Sequence, residues 1–186
     1  MNTPNKLTLA RVIVTPIFLF CLLGSFTHHW LIAALLFIAA SITDAVDGRL
    51  ARKLDQVTVF GQLADPLADK MLITAALLAF MHFGLCGVWP VFLILMREFA
   101  VTSMRLIAAA QGAVIPANIF GKIKTAVQMI FTILILFWGE LVERYGFLRL
   151  DFAKVCGVMM WITAVLAVVS GVITIFKAKK VIDFTM

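Results

Sequence analysis

Residues 44–69 read DAVDGRLARKLDQVTVFGQLADPLAD and connect two strongly apolar runs of the chain. Aspartates occur there at helical spacing twice, because Asp44 and Asp47 are three residues apart and Asp65 and Asp69 are four apart. Residues at these separations lie on one face of an α-helix. The stretch therefore predicts two consecutive helices, joined by a linker over residues 49–60, whose carboxylates point into one cleft.

The composition around this stretch is that of a membrane protein. The chain has 186 residues, of which 63% are hydrophobic, and its mean hydropathy is +1.06. A membrane-spanning helix needs about 20 mostly apolar residues. Six runs approach that length, at roughly residues 8–25, 31–47, 61–82, 88–110, 121–139 and 155–176. We therefore predict an all-α polytopic membrane protein with six transmembrane helices in one bundle, forming a single domain over residues 1–186.

Positive charge is distributed unequally between the two ends of these helices. Cytoplasmic loops are enriched in lysine and arginine, and six spans place eleven such residues on one side against three on the other. The eleven are Lys6, Arg11, Arg49, Arg52, Lys53, Arg105, Lys122, Lys124, Lys177, Lys179 and Lys180; the three are Arg144, Arg149 and Lys154. Both termini and the aspartates are thus predicted on the cytoplasmic face of the cell membrane. The same asymmetry accounts for the net charge of +6, so no nucleic-acid partner is expected.

Four clustered carboxylates repel one another and are costly near a membrane. Oxygen ligands select hard divalent cations, so Mg²⁺ or Mn²⁺ is expected, and two ions would balance the four charges. Small residues on the same faces, such as Gly48 and Gly61, would let the helices approach closely. The aspartates could instead cap helix ends or form surface ion pairs, or they could carry ions in an ion-coupled transporter. Their position at the ends of the apolar runs and the absence of an internal repeat argue against a transporter.

The pattern D-x-x-D-G-x-x-A-R-x8-G-x-x-x-D-x-x-x-D matches in full the signature of the CDP-alcohol phosphotransferase family, which this chain resembles over its whole length. The resemblance implies that all four aspartates surround the metal ions and that Asp69 is the general base. It also implies a homodimer and a binding site for the CDP moiety. The residues implied for CDP binding are Asp47, Gly48, Ala51, Arg52 and Gly61.

The acceptor alcohol depends on basic residues outside this signature. Arg97 lies within an apolar run and needs a partner there, which could be Glu98, an aspartate or an anionic ligand. Arg105 and Lys124 are expected to converge on the same cytoplasmic pocket. Several cations beyond those that the metals require favour an acceptor that carries a phosphate group.

The segments REFAVTSMR (97–105), GKIKT (121–125) and PNKLTLAR (4–11) resemble those of the bacterial phosphatidylglycerophosphate synthases of that family. The implied reaction converts CDP-diacylglycerol and sn-glycerol 3-phosphate into phosphatidylglycerophosphate and CMP. The implied acceptor-phosphate residues are Arg97, Arg105, Lys122, Lys124, Thr102 and Thr125, with Asn5, Thr8 and Arg11 as further candidates. Alternatively, Lys122 and Lys124 anchor the fifth helix at lipid headgroups, and the three N-terminal residues have only interfacial or capping roles.

Two alternative activities share the same aspartates. A cardiolipin synthase of this fold would use phosphatidylglycerol as the acceptor, and an inositol-phosphate phosphatidyltransferase would use a phosphorylated inositol. On the opposite side of the membrane, His28 and His29 are expected to have an interfacial role rather than to bind metal.

Overall fold

The computed structural model describes the backbone of residues 3–54, 59–113, 118–146 and 149–179. Side chains are described for residues 9–43, 67–68, 70–113, 118–146, 149 and 151–179. These residues form six α-helices, and no strand occurs among them. The helices are α1 (Thr3–Leu23), α2 (His29–Leu54), α3 (Val59–His82), α4 (Val88–Ala110), α5 (Ile119–Tyr145) and α6 (Arg149–Ala178). The all-α prediction is confirmed for this part of the chain.

The helices follow the predicted apolar runs but extend beyond most of them. Only α4 begins and ends where its apolar run does. The linker predicted over residues 49–60 is wrong for most of its length, because α2 continues to Leu54 and α3 already begins at Val59. Apolar periodicity underestimates a helix whose end is polar, since backbone hydrogen bonds continue after the hydrophobic residues stop.

Two helices in the described part of the chain are long and apolar enough to cross a membrane, at Ile119–Tyr145 and Asp151–Ala178. Shorter apolar stretches occupy Leu9–Leu23, His29–Thr43 and Lys70–His82. Large hydrophobic side chains point outward along several helices, including Phe20, Trp89 and Phe176. Exposed apolar surface of this extent is typical of a protein that contacts lipid. The chain is therefore membrane-associated.

The chain divides into two compact units, and the first consists of Met1–Phe83 with Thr132–Phe152. Within it α1 packs against α2 and α3. The Phe18 and Phe37 rings lie 5.8 Å apart between α1 and α2. Gly139 of α5 allows close packing against Trp30, since a Cβ there would lie 2.5 Å from the indole ring.

The second unit consists of Gly84–Phe131 with Ala153–Met186 and includes α4, the start of α5 and most of α6. Ile94 of α4 and Met160 of α6 are fully buried. Ala108 and Ala178 form a small apolar cluster at the ends of α4 and α6. Gly112, with a φ of +70°, follows α4 in the left-handed conformation that glycine adopts without strain.

Candidate active site

The four aspartates of the signature all lie on helical backbone. Asp44 and Asp47 belong to α2, and Asp65 and Asp69 belong to α3. The helical continuation that places each pair on one helix face is therefore confirmed. Their side chains lie outside the part of the chain for which side chains are described, and so do residues 48, 51, 52 and 61, which were predicted to bind CDP. Their roles as metal ligands, CDP-binding residues and general base stay predictions.

Two oppositely charged neighbours are buried in the middle of α4. The Arg97 Nη1 donates a hydrogen bond of 2.8 Å to the Glu98 Oε1, and both side chains are only 9% exposed. The partner that Arg97 requires within its apolar run is thus Glu98. A buried ion pair is not in itself stabilising. Removing each ion from water costs several kcal/mol, and this cost is about as large as the attraction between the two ions.

A second cation reaches the same carboxylate oxygen from the next helix. Lys124 of α5 is 2% exposed, and its Nζ donates to the Glu98 Oε1 in a short hydrogen bond. We call Arg97, Glu98 and Lys124 the charge triad. Its formal charge is +1, and the two cations repel each other because both lie against the same carboxylate oxygen. Glu98 offsets that repulsion.

Two glycines make room for the guanidinium group of Arg97. A Cβ on Gly171 of α6 would lie 2.8 Å from the Arg97 Cγ, and a Cβ on Gly121 of α5 would lie 3.4 Å from its Nη2. The first distance is shorter than real Cβ contacts allow, whereas the second is tight but meets the flexible end of the side chain. Arg97 therefore packs against α6 only because residue 171 is a glycine, and Gly121 leaves space for its Nη2 beside α5.

Two donors of the second unit are buried without a hydrogen-bond partner among the described residues. One is the Arg97 Nε, and the other is the Nδ2 of Asn118, a residue only 6% exposed. Asn118 precedes α5 and caps it, because its Oδ1 accepts a 3.2 Å hydrogen bond from the Phe120 N–H. Since an unsatisfied buried donor costs about 1–3 kcal/mol, an anion that accepted a hydrogen bond from the Arg97 Nε would be stabilised.

The other residues predicted for the acceptor phosphate are more accessible than the triad. Arg105, Lys122 and Thr125 are exposed, and Thr102 is half-buried. The Thr125 hydroxyl donates to the Gly121 carbonyl at 3.0 Å, as threonines in helices commonly do. The structure thus brings Arg97 and Lys124 together through Glu98, and the exposure of Lys122 fits an anchoring role equally well.

Of the three N-terminal candidates, Asn5, Thr8 and Arg11, the structure describes the side chain of Arg11 alone. Arg11 of α1 is buried, and its carbonyl oxygen accepts a 2.9 Å hydrogen bond from the Thr15 hydroxyl. The Asn5 and Thr8 side chains lie outside the described residues. Their roles stay predictions.

A separate polar cluster joins the turn before α2 to the end of α5 in the first unit. His28, with a φ of +66°, contacts the Glu140 Oε1 through its Nδ1 at 2.6 Å and accepts from the Arg144 Nη1 through its Nε2 at 2.9 Å. The Nε2 of His29 lies 2.8 Å from the Glu143 Oε2. Among the described side chains no group of three or more potential ligands is placed to hold a metal ion. These contacts connect the turn before α2 to the end of α5.

Sequence comparison identifies the family. The family description CDP-alcohol phosphatidyltransferase matches residues 1–169, which include both aspartate pairs and the whole charge triad. The chain belongs to the CDP-alcohol phosphatidyltransferase family. Within that family it is similar to the CDP-diacylglycerol–glycerol-3-phosphate 3-phosphatidyltransferase of Bacillus subtilis (strain 168), with 43% identity over 91% of each chain.

Relatives from two Rickettsia species have the same name. The Rickettsia felis protein is 37% identical over 96% of each chain, and the Rickettsia typhi protein is 39% identical over 96% of this chain and 97% of its own. As in any CDP-alcohol phosphatidyltransferase, the site must bind a nucleotide-activated donor and an acceptor alcohol.

Sequence reasoning missed two features of the site. Asn118 had no signal beyond its place before an apolar run, where asparagine is a common helix cap. Gly171 had none, because one glycine in an apolar helix does not reveal that an arginine of another helix packs against it.

Proposed function

We propose that this protein is a CDP-diacylglycerol–glycerol-3-phosphate 3-phosphatidyltransferase, which forms phosphatidylglycerophosphate and CMP. The proposal is supported by the activity for which its relatives from Bacillus subtilis and Rickettsia felis are named, since each aligns with this chain over more than nine-tenths of its length. The structural observation that carries the choice of acceptor is the pairing of Arg97 and Lys124 on Glu98, beside an Arg97 Nε that has no hydrogen-bond partner among the described residues. Buried cations and spare donors suit a phosphate dianion better than an uncharged alcohol.

The proposed membrane arrangement is supported by the six apolar runs of the sequence and by the charge asymmetry between their ends. In the proposed topology all six helices cross the cell membrane, both termini are cytoplasmic, and the active site opens on the cytoplasmic face. The soluble substrate, glycerol 3-phosphate, would enter from the cytoplasm, and the soluble product, CMP, would leave to it. Family resemblance also makes a homodimer our expectation.

The aspartate pairs are proposed to hold two Mg²⁺ or Mn²⁺ ions. Four carboxylates on two helical faces are a donor set that hard divalent cations favour. When bound, such ions neutralise the diphosphate charge that would otherwise repel the incoming acceptor. The CDP moiety would contact Asp47, Gly48, Ala51, Arg52 and Gly61.

The chain's own groups then perform the transfer in one displacement. A hydroxyl oxygen of glycerol 3-phosphate attacks the lipid-side phosphorus of CDP-diacylglycerol while the Asp69 carboxylate accepts the hydroxyl proton. A new phosphorus–oxygen bond forms, the bond to the CMP oxygen breaks, and CMP leaves with that oxygen. Arg97 and Lys124 hold the acceptor's own phosphate, so that the attacking hydroxyl is oriented rather than free. No covalent enzyme intermediate is required.

An acceptor panel tests this proposal. Membranes containing the protein receive CDP-diacylglycerol and Mg²⁺ with glycerol 3-phosphate, phosphatidylglycerol or inositol phosphate, and CMP release and the lipid product are measured. Release with glycerol 3-phosphate alone is expected. Release only with phosphatidylglycerol or only with inositol phosphate would move the protein to another activity of the family, and no CMP with any acceptor would contradict a phosphatidyltransferase.

A further inference from the structure

Glu98 has contacts that its sequence neighbours do not explain. One of its carboxylate oxygens accepts hydrogen bonds from the Arg97 Nη1 on its own helix and from the Lys124 Nζ on α5. The side chain is buried, so neither bond competes with bulk water. A carboxylate shared in this way fixes two cations of different helices at one point.

The sign of its charge makes a direct contact with the acceptor phosphate unfavourable. A carboxylate and a phosphate repel, whereas each attracts Arg97 and Lys124. The Arg97 Nη2 rests beside Gly121, where no side chain intervenes, and its Nε has no hydrogen-bond partner among the described residues. Glu98 therefore occupies one edge of the guanidinium group and leaves other donors for an anion.

We propose that Glu98 is a positioning residue for the acceptor phosphate, holding Arg97 and Lys124 at the separation that a phosphate group bridges. This inference rests on the proposed function, since it assumes that the acceptor carries a phosphate. It assigns to an acidic residue the alignment of a site that binds an anion. Without Glu98 the two cations repel and their side chains separate.

The test is Glu98→Gln, which keeps the size of the side chain and removes its charge. Steady-state CMP release is measured while glycerol 3-phosphate and CDP-diacylglycerol are varied separately. The KM for glycerol 3-phosphate is expected to rise about tenfold or more, as the loss of a charged hydrogen bond predicts, while the KM for CDP-diacylglycerol stays at the wild-type value. Inorganic phosphate, used as a competitive inhibitor, should lose affinity by a similar factor.

The Glu98→Asp variant distinguishes the effect of side-chain length from the effect of charge. Aspartate keeps the negative charge but is one methylene shorter, so it cannot contact both cations at once. The KM for glycerol 3-phosphate should rise for this variant too. If Glu98→Gln does not accumulate in membranes, Glu98→Asp alone decides the question, because a role that needs only the charge would leave its KM at the wild-type value.

Glu143→Gln is the matched control. It makes the same chemical change at a carboxylate outside the triad, which pairs with His29, and should leave both KM values unchanged. Equal losses for both substrates together with a lower Tm would show that Glu98 is merely structural. An unchanged or lower KM for glycerol 3-phosphate would also overturn the inference, and a wild-type protein that releases no CMP with glycerol 3-phosphate would instead refute the proposed function.

Discussion

Replacing Gly171 by alanine tests whether the placement of Arg97 sets acceptor affinity. The new Cβ would lie 2.8 Å from the Arg97 Cγ and 3.8 Å and 3.9 Å from its Cβ and Cδ. Overpacking of this kind costs about 1–3 kcal/mol. Alanine regains about 1 kcal/mol through its higher helix propensity, so the change in folding stability is small and stability is a poor readout.

The effect of Gly171→Ala on the binding of glycerol 3-phosphate is expected to exceed its effect on folding stability and to weaken binding. The clash is at the stem of the side chain, so the guanidinium group must move away from its place between α5 and α6. Loss of one charged hydrogen bond to the acceptor phosphate costs about 1.5–3 kcal/mol, which raises the KM for glycerol 3-phosphate by about 10- to 150-fold. The KM for CDP-diacylglycerol should not change.

Alanine substitutions at two other glycines provide an intermediate case and a control. At Gly121 an added Cβ would be 3.4 Å from the Arg97 Nη2, the flexible end of the side chain, so a smaller increase is expected. At Gly157, on the same helix as Gly171, the nearest atom would be the Leu85 carbonyl oxygen at 3.8 Å, an ordinary contact. Gly157→Ala should behave as wild type. If Gly171→Ala and Gly157→Ala give the same KM for glycerol 3-phosphate, the reasoning about Arg97 is refuted.

Three further outcomes are expected. Glu140→Gln should lower the Tm and leave both KM values unchanged, because the carboxylate ties His28 and the Leu31 N–H to α5; unaltered thermal unfolding would contradict this. Asp69→Asn should abolish CMP release while the protein still accumulates in membranes, and activity equal to wild type would remove Asp69 as the base. Burial raises the pKa of the Cys86 thiol to about 11. Labelling of the native protein by iodoacetamide, measured by mass spectrometry, should therefore be negligible at pH 8 and increase only as the pH approaches 11. Rapid labelling at pH 8 would contradict this, because it would show an exposed thiolate.

The sequence predicts the positions of the helices well because each helix contains a long run of apolar residues. The bounds of α4 match its run, and the spacing of Asp44 and Asp47 correctly predicts that α2 continues beyond its apolar part. The predicted linker over residues 49–60 is too long, since polar residues continue α2 to Leu54 and α3 already begins at Val59.

The charge triad is only partly predictable. The cost of a charge inside an apolar run indicates that Arg97 needs a partner, and the adjacent Glu98 is an obvious candidate. The contribution of Lys124 depends on how α4 and α5 pack, which one sequence does not specify. Gly171 and Asn118 depend on packing in the same way.

The exposure of Arg105 and Lys122 has a similar explanation. Hydropathy treats every lysine and arginine near a helix end alike, although Lys124 is buried and Lys122, two residues earlier, is exposed. Successive residues of a helix point in different directions, so α5 turns one of the two lysines toward Glu98 and the other away from it.

The transfer of an isotopic label tests the central claim most directly. Glycerol 3-phosphate carrying ¹⁸O in its free primary hydroxyl is incubated with CDP-diacylglycerol, Mg²⁺ and membranes containing the protein, and the products are analysed by mass spectrometry. Attack on the lipid-side phosphorus predicts that the label is found in phosphatidylglycerophosphate and that the released CMP contains none. Label in a phosphodiester that joins CMP to glycerol 3-phosphate, accompanied by phosphatidic acid, or no labelled lipid at all, would contradict the account.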